Sequence, residues 1–179
     1  KLGRSLAPKS PPIPISFTGL VQDGAGVLNV KRTGASTGRW VGTNTYSGVT
    51  TLTNSAVGNT NRFEVSTLAD YGSNSTIGSG SSVGNAAALV FEGVTGSALD
   101  YVGQVSVRTN RLFTLNSAMA SNAGGGISND SSYNSALIFS NSGAIAFGTN
   151  ANTVAQTLTL AGTSTADNTF FPLLQNNSN

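Results

Sequence analysis

The side chains that could perform acid–base chemistry are few in this sequence and lie far apart. The 179 residues include no His and no Cys, which excludes imidazole and thiol catalysis and cysteine–histidine zinc sites. Seven carboxylates remain, with no Asp-Asp or Asp-x-Asp pair among them: Asp23, Glu64, Asp70, Glu92, Asp100, Asp130 and Asp167. We therefore predict no catalytic residue, no cofactor, no metal site and no enzyme activity.

Glu64 and Glu92 have similar surroundings, because each lies next to a phenylalanine in a short apolar run. The two acids would stack if these runs lay on successive turns of a coiled chain, and converging carboxylates are what a carbohydrate-active enzyme requires. An exposed acid on a strand is the commoner origin of the same pattern. A structural protein is therefore the prediction, and a carbohydrate-active or carbohydrate-binding protein is the alternative.

Charge is scarce and balanced over most of the chain. Charged residues make up 9% of the sequence, hydrophobic residues 38%, and the formal net charge is +2, which together favour a folded chain. Lys1, Arg4 and Lys9 lie in the first nine residues, and no later cluster of Lys or Arg offers the surface that phosphates require. We predict no nucleic-acid binding. No apolar run approaches the roughly 18 residues of a membrane helix, so we expect no membrane-spanning segment.

Short β-rich runs recur from residue 20 onward and indicate an all-β fold. Each run has four or five residues and is bounded by Gly, Asn or Ser, as strands and their turns are. The predicted strands are 26–30, 49–53, 62–65, 88–91, 105–108, 112–115, 136–139, 144–147 and 157–160. Residues 116–121 are expected to form a loop in a Gly-rich neighbourhood.

Phenylalanines recur at similar intervals in these runs. Phe63, Phe91, Phe113 and Phe139 are separated by 28, 22 and 26 residues. Intervals of this size are typical of successive coils of a solenoid, although a β-sandwich, with turns about every 8 to 12 residues, fits part of the pattern. In a solenoid, these four side chains and Phe147 are expected to point into the core.

Two glycine-rich stretches near the start of the chain favour the solenoid. Residues 24–30 read Gly-Ala-Gly-Val-Leu-Asn-Val, and residues 42–50 read Gly-Thr-Asn-Thr-Tyr-Ser-Gly-Val-Thr. Together they resemble the autotransporter-associated β-strand repeat, with Val49 in place of a second Gly and an insertion that holds Lys31 and Arg32. Later stretches, as far as residue 174, resemble the long passenger segments of large bacterial surface proteins.

This resemblance implies a right-handed parallel β-helix that is secreted and displayed on the bacterial cell surface. It implies a non-enzymatic structural role as a segment of a fibre, stalk or adhesin. We expect three regions: an extended Pro-rich arm or linker at 1–19, a β-solenoid of about six or seven coils at 20–174, and a polar Asn-rich tail at 175–179.

The two ends of the solenoid are predicted to be assembly surfaces, because neither shows the helix or charged loop that usually covers a terminal coil. They would meet a second copy head to tail, which gives a homopolymer, or further repeats of the same chain. Surface glycans are a further possible partner. The candidate contacts are Ile13, Ile15, Phe17, Phe170, Phe171, Leu173 and Leu174.

Overall fold

The protein is all-β, with almost no helix. A computed structural model describes residues 15–34, 36–53, 61–93, 97–118 and 124–176. These residues contain short strands and two 3₁₀ segments, Asn85–Ala87 and Thr149–Thr153, and none of their helices has the length and apolar character that crossing a bilayer requires. The strands are β1 (Ile15–Phe17), β2 (Val30–Arg32), β3 (Gly38–Trp40), β4 (Thr50–Leu52), β5 (Asn61–Val65), β6 (Leu89–Phe91), β7 (Ser97–Tyr101), β8 (Val107–Thr109), β9 (Thr114–Leu115), β10 (Gly124–Asn129), β11 (Leu137–Phe139), β12 (Ala146–Phe147), β13 (Thr157–Gly162) and β14 (Thr169–Phe170).

The strands of the described residues form three sheets, and every pairing between them is parallel. The first sheet has the order β1-β3-β5-β7-β10-β13, the second β14-β11-β8, and the third β12-β9-β6-β4-β2. Neighbours in a sheet are never consecutive in the chain. The chain therefore leaves each sheet and returns to add the next strand beside the last, as parallel pairing requires.

The core lies between the three sheets and is built from the predicted phenylalanines. Phe63, Phe91, Phe113 and Phe139 are each at most 2% exposed, as predicted. Phe147 is half-buried and packs against the same cluster. Phe91 and Phe113 meet edge to face with ring centroids 5.5 Å apart, a favourable geometry for aromatic rings.

Several predicted strands coincide with observed ones, and others do not. β4, β6 and β11 lie inside the predicted ranges 49–53, 88–91 and 136–139. The prediction of a strand at 26–30 was wrong, because the strand begins only at Val30. Of the predicted loop at 116–121, residues 116–118 have no regular structure and the rest lies outside the described residues.

β10 is a strand that the composition argues against, since it begins with three glycines and Gly is depleted in strands. A Cβ on Gly125 would overlap the ring of Phe91 across the core. The absence of a side chain therefore gives Phe91 its space, and the whole strand is buried. Tertiary packing therefore determines that β10 forms a buried strand, and strand propensity does not predict it.

The stretch at 42–46 forms a corner between β3 and β4, and Asn44 connects it to the turns on both sides. The Asn44 side chain accepts a hydrogen bond from the N–H of Val21 at 2.9 Å and donates one to the carbonyl of Thr76 at 2.7 Å. Nearby, Tyr46 is fully buried and its hydroxyl shares a hydrogen bond of 2.6 Å with Thr50. The corner thus links segments that are distant in sequence.

Replacing Asn44 by Ala is expected to lower the free energy of unfolding by about 2 kcal/mol, because it leaves the partly buried N–H of Val21 and the buried carbonyl of Thr76 without this partner. Urea unfolding followed by the fluorescence of Trp40, the single tryptophan, measures the loss. Asn74→Ala is the control, since Asn74 is exposed and should change stability by less than about 0.5 kcal/mol. Equal effects of the two substitutions would contradict the role of Asn44.

Candidate assembly surface

An apolar groove lies at the last strands of the described chain. It has a volume of about 380 Å³ and is lined by residues of β10, β11, β13 and β14 and of the turn after β13. None of the lining residues is charged, and the large apolar ones are Ile127, Leu137, Phe139, Leu160 and Phe170. We call this surface the C-terminal groove. It is an open part of the core, because Ile127, Leu137 and Phe139 belong to the core cluster.

The strand that borders this groove has a free edge. β13 is the last strand of the first sheet and pairs only with β10 within the described chain, and five of its six residues are exposed. Leu160, in the middle of β13, is 52% exposed. A free parallel edge beside an apolar groove offers both backbone hydrogen bonds and buried area to a further strand.

The candidate contacts near the end of the chain divide into two groups. Phe170 is half-buried, and its ring lies 5.9 Å from that of Phe139 and 6.2 Å from that of Phe113. It is therefore part of the groove wall. Phe171, Leu173 and Leu174 are each more than half exposed. Exposed apolar side chains in one short segment are typical of a contact surface.

The first strands form the opposite end of the sheets. Phe17 is 39% exposed, and its ring lies 5.1 Å from Trp40, which in turn meets Phe63 edge to face at 5.1 Å. Ile15 begins β1, which pairs in register with β3. Ile13 lies outside the described residues, as does most of the predicted arm.

Arg32 makes this first end different from the last one. Register places Arg32 opposite Leu52, at the start of a row that continues through Phe91 and Leu115 in the third sheet. Its guanidinium donates to the carbonyl of Gly34 at 3.1 Å and to that of Ser36. Burial lowers the pKa of Arg32 from its ordinary value, although the group keeps its charge. A cation therefore covers part of the core at the first end, whereas the C-terminal groove is uncharged.

The two glutamates of the alternative interpretation do not come together. Glu64 lies on β5 in the first sheet and pairs with Arg39, whereas Glu92 follows β6 in the third sheet and bonds Lys31 at 2.9 Å. The prediction that they stack on successive turns was wrong, because β5 and β6 belong to different sheets. Within the described ranges, no group of three or more acidic side chains is arranged to hold a metal ion.

Comparison with known proteins relates the chain to a bacterial surface protein. Over 163 residues, 90% of its length, the chain is 39% identical to the "Adhesin BmaC autotransporter" of Brucella suis biovar 1 (strain 1330). The chain is similar to a segment of an autotransporter adhesin. It spans only 4% of the length of that relative. No protein-family profile matches the chain, and no solved structure does so.

Proposed function

We propose that this chain is a non-enzymatic structural segment of a bacterial surface adhesin, displayed outside the cell as part of a β-solenoid rod. The observation that carries the proposal is the order in which parallel strands are added: the described chain alternates between two sheets as far as β7 and visits all three from β8 onward. Both edges of the first sheet are unpaired within the described residues. The relationship to an autotransporter adhesin supports the surface location. A repeat of the autotransporter-associated type is the proposed unit of each coil.

A right-handed path is the proposed winding, since almost all crossovers between parallel strands of one sheet are right-handed. Residues 20–174 are the proposed solenoid, with 1–19 as an arm or linker and 175–179 as a tail. β1, at Ile15–Phe17, already lies in the first sheet, so the arm would join the rod through that strand.

The described acids support a structural role, because most of them hold the fold together. Glu64 pairs with Arg39 on the neighbouring strand β3, and Glu92, just after β6, pairs with Lys31 on β2, two strands away in the third sheet. Asp23 accepts hydrogen bonds from the hydroxyl of Ser47 and from the backbone N–H groups of Leu28 and Ser47, and these hold the pKa of Asp23 below its ordinary value. Carboxylates engaged in this way link one turn of the chain to the next.

End-to-end contact is the proposed mode of assembly. The C-terminal groove would receive the first strands of a second copy, or further repeats of the same chain, and the free edge of β13 would continue the parallel sheet. Both occupants bury the same apolar side chains. Only a second copy as the occupant requires that the purified chain associates with itself.

Replacing Leu160 and Phe171 together by Ser is expected to weaken self-association of the chain at least about tenfold, because the two substituted positions lose most of the apolar area that they bury in the contact. Sedimentation equilibrium over a wide concentration range measures the association. Stability should change little, since both side chains are more than half exposed. Val105→Ser is the control: Val105 is 67% exposed but belongs neither to the groove lining nor to the exposed apolar segment that contains Phe171, so association should persist.

A wild-type chain that stays monomeric at high concentration would contradict assembly by a second copy and would favour continuation into further repeats. Removing residues 1–19 distinguishes the two in the same way, since it should shorten or abolish fibres only if copies stack. Negative-stain images test the rod itself: rods or fibres are expected, and compact globules would overturn the proposed solenoid segment.

A further inference from the structure

A buried ionic cluster lies on the outer side of the first sheet. Asp100 on β7 is 1% exposed, although Leu99 and Tyr101 on either side of it point into the core, so its carboxylate faces away from the core. Nη1 of Arg62 on β5 donates to Oδ2 of Asp100 at 3.0 Å and also to Oδ2 of Asp130. We call Arg62, Asp100 and Asp130 the Arg62 cluster.

The neighbours of this cluster leave it with an excess of negative charge. Register places Glu64 of β5 directly opposite Asp100, and Arg39 of β3 is the ion-pair partner of Glu64. From β10, Ser128 faces Asp100 in register and donates to Asp130 at 3.4 Å without adding charge. Three carboxylates therefore meet two guanidinium groups. One added proton would make the set neutral.

Asp100 is the member of the set best placed to take that proton. Its Oδ1 atom is buried and has no hydrogen-bond partner, whereas Glu64 and Asp130 are each more exposed and each paired with an arginine. A charged carboxylate oxygen that is buried without a donor is unfavourable. Burial raises the pKa of Asp100 to about 6; Arg62 opposes the rise and Glu64 adds to it.

We propose that the Arg62 cluster is a proton-uptake site that makes this chain more stable in mildly acidic than in neutral solution. In acid, Asp100 is neutral and Arg62 keeps its ion pair with Asp130, which leaves no excess charge beside Glu64. At neutral pH the folded state must hold the buried carboxylate in its charged form. The inference is independent of the proposed function, because it concerns stability and not display or assembly.

The sign of the effect follows from the two pKa values of Asp100. The carboxyl titrates at about 6 in the folded chain and at 3.8 in the ordinary, unfolded state, so the folded state binds the proton more tightly. The stabilisation is complete below the lower value and is lost as the pH rises through the upper one. Between pH 5 and pH 7.5 the equilibrium constant for unfolding should rise about tenfold. The chain has no His, so few other groups titrate in this range.

Urea unfolding of the full chain at pH 5, 6 and 7.5 tests the proposal. Asp100→Asn is expected to abolish the tenfold dependence and to be more stable than the wild type at pH 7.5. Asp167→Asn, at an exposed acid, is the matched control and should keep the dependence. Carbon NMR of the Asp100 carboxyl in the wild-type chain provides a second measurement, which needs no folded variant, and should give a midpoint near 6. A midpoint below 4.5, or an unchanged pH dependence in Asp100→Asn, would overturn the proposal.

Discussion

Replacing Arg111 by Met is expected to lower the free energy of unfolding by about 3 kcal/mol, one of the two largest effects that the structure predicts for a single substitution. Arg111 is 1% exposed and is the largest fully buried side chain of the described residues. Its Nε donates to the carbonyl of Ala69 at 2.9 Å, and its Nη2 donates to those of Ser73 and Gly78 at 3.0 and 2.8 Å.

The loss arises because Met has no donor for these carbonyls: the hydrogen bond to Gly78 is buried, and those to Ala69 and Ser73 are partly buried. Arg111 holds the irregular segment at 69–78 against the start of the segment that leads into β9, and three carbonyls would lose a partner together. Burial lowers the pKa of Arg111 to about 10, so the guanidinium stays charged at neutral pH and donates strong hydrogen bonds. Lys at this position should also destabilise, because a single ammonium cannot reproduce the planar fork.

Urea unfolding at pH 7.5 measures the effect. Arg108→Met is the matched control: Arg108 is three residues earlier in the chain, lies exposed on β8, and should change stability by less than about 0.5 kcal/mol. A loss for Arg111→Met no larger than that of the control would show that the carbonyls find other partners, and would refute the assigned role.

Replacing Gly124 by Ala is expected to cost about 2–5 kcal/mol, for two reasons that add. Gly124 has a φ of +138°, a conformation that residues with a Cβ rarely adopt. A Cβ at this position would also lie 2.7 Å from the carbonyl carbon of Thr157 and closer still to its oxygen. Backbone atoms cannot move aside as a flexible side chain can, so the pairing of β10 with β13 would have to open.

Thermal and urea unfolding of Gly124→Ala should both show the loss. Gly84→Ala is the control, since Gly84 has a φ of −68° and open space where its Cβ would be. This control should be neutral or slightly stabilising, because Ala reduces the entropy of the unfolded chain. A Gly124→Ala chain as stable as the control would mean that β10 and β13 do not approach each other as described.

The positions of the core phenylalanines follow from the sequence alone. Phe63, Phe91, Phe113 and Phe139 lie in short β-rich runs at recurring intervals, and a chain that coils back on itself must bury such a series. The all-β class follows from the same runs, because they are too short for helices and are bounded by turn residues.

The residues with special chemistry could not be found in this way. Arg111 lies in the sequence Thr-Asn-Arg-Leu, which has the composition of an exposed turn, and the three glycines before Ile127 give no signal of a buried strand. In each case the deciding contact comes from a segment far away in the chain: Gly78 for Arg111, and Phe91 for Gly125. Local propensity contains no information about such neighbours.

The Arg62 cluster shows the same limit most clearly. In the sequence, Arg62, Asp100 and Asp130 are isolated charges, and Arg62 and Asp100 are 38 residues apart. Parallel pairing of β5 with β7 places Glu64 opposite Asp100, and pairing of β7 with β10 brings Asp130 to the same side. A shift of one residue in either pairing would turn these side chains to the opposite face of the sheet. The register depends on the length and packing of every turn between the strands, so the tertiary structure alone decides which charges meet.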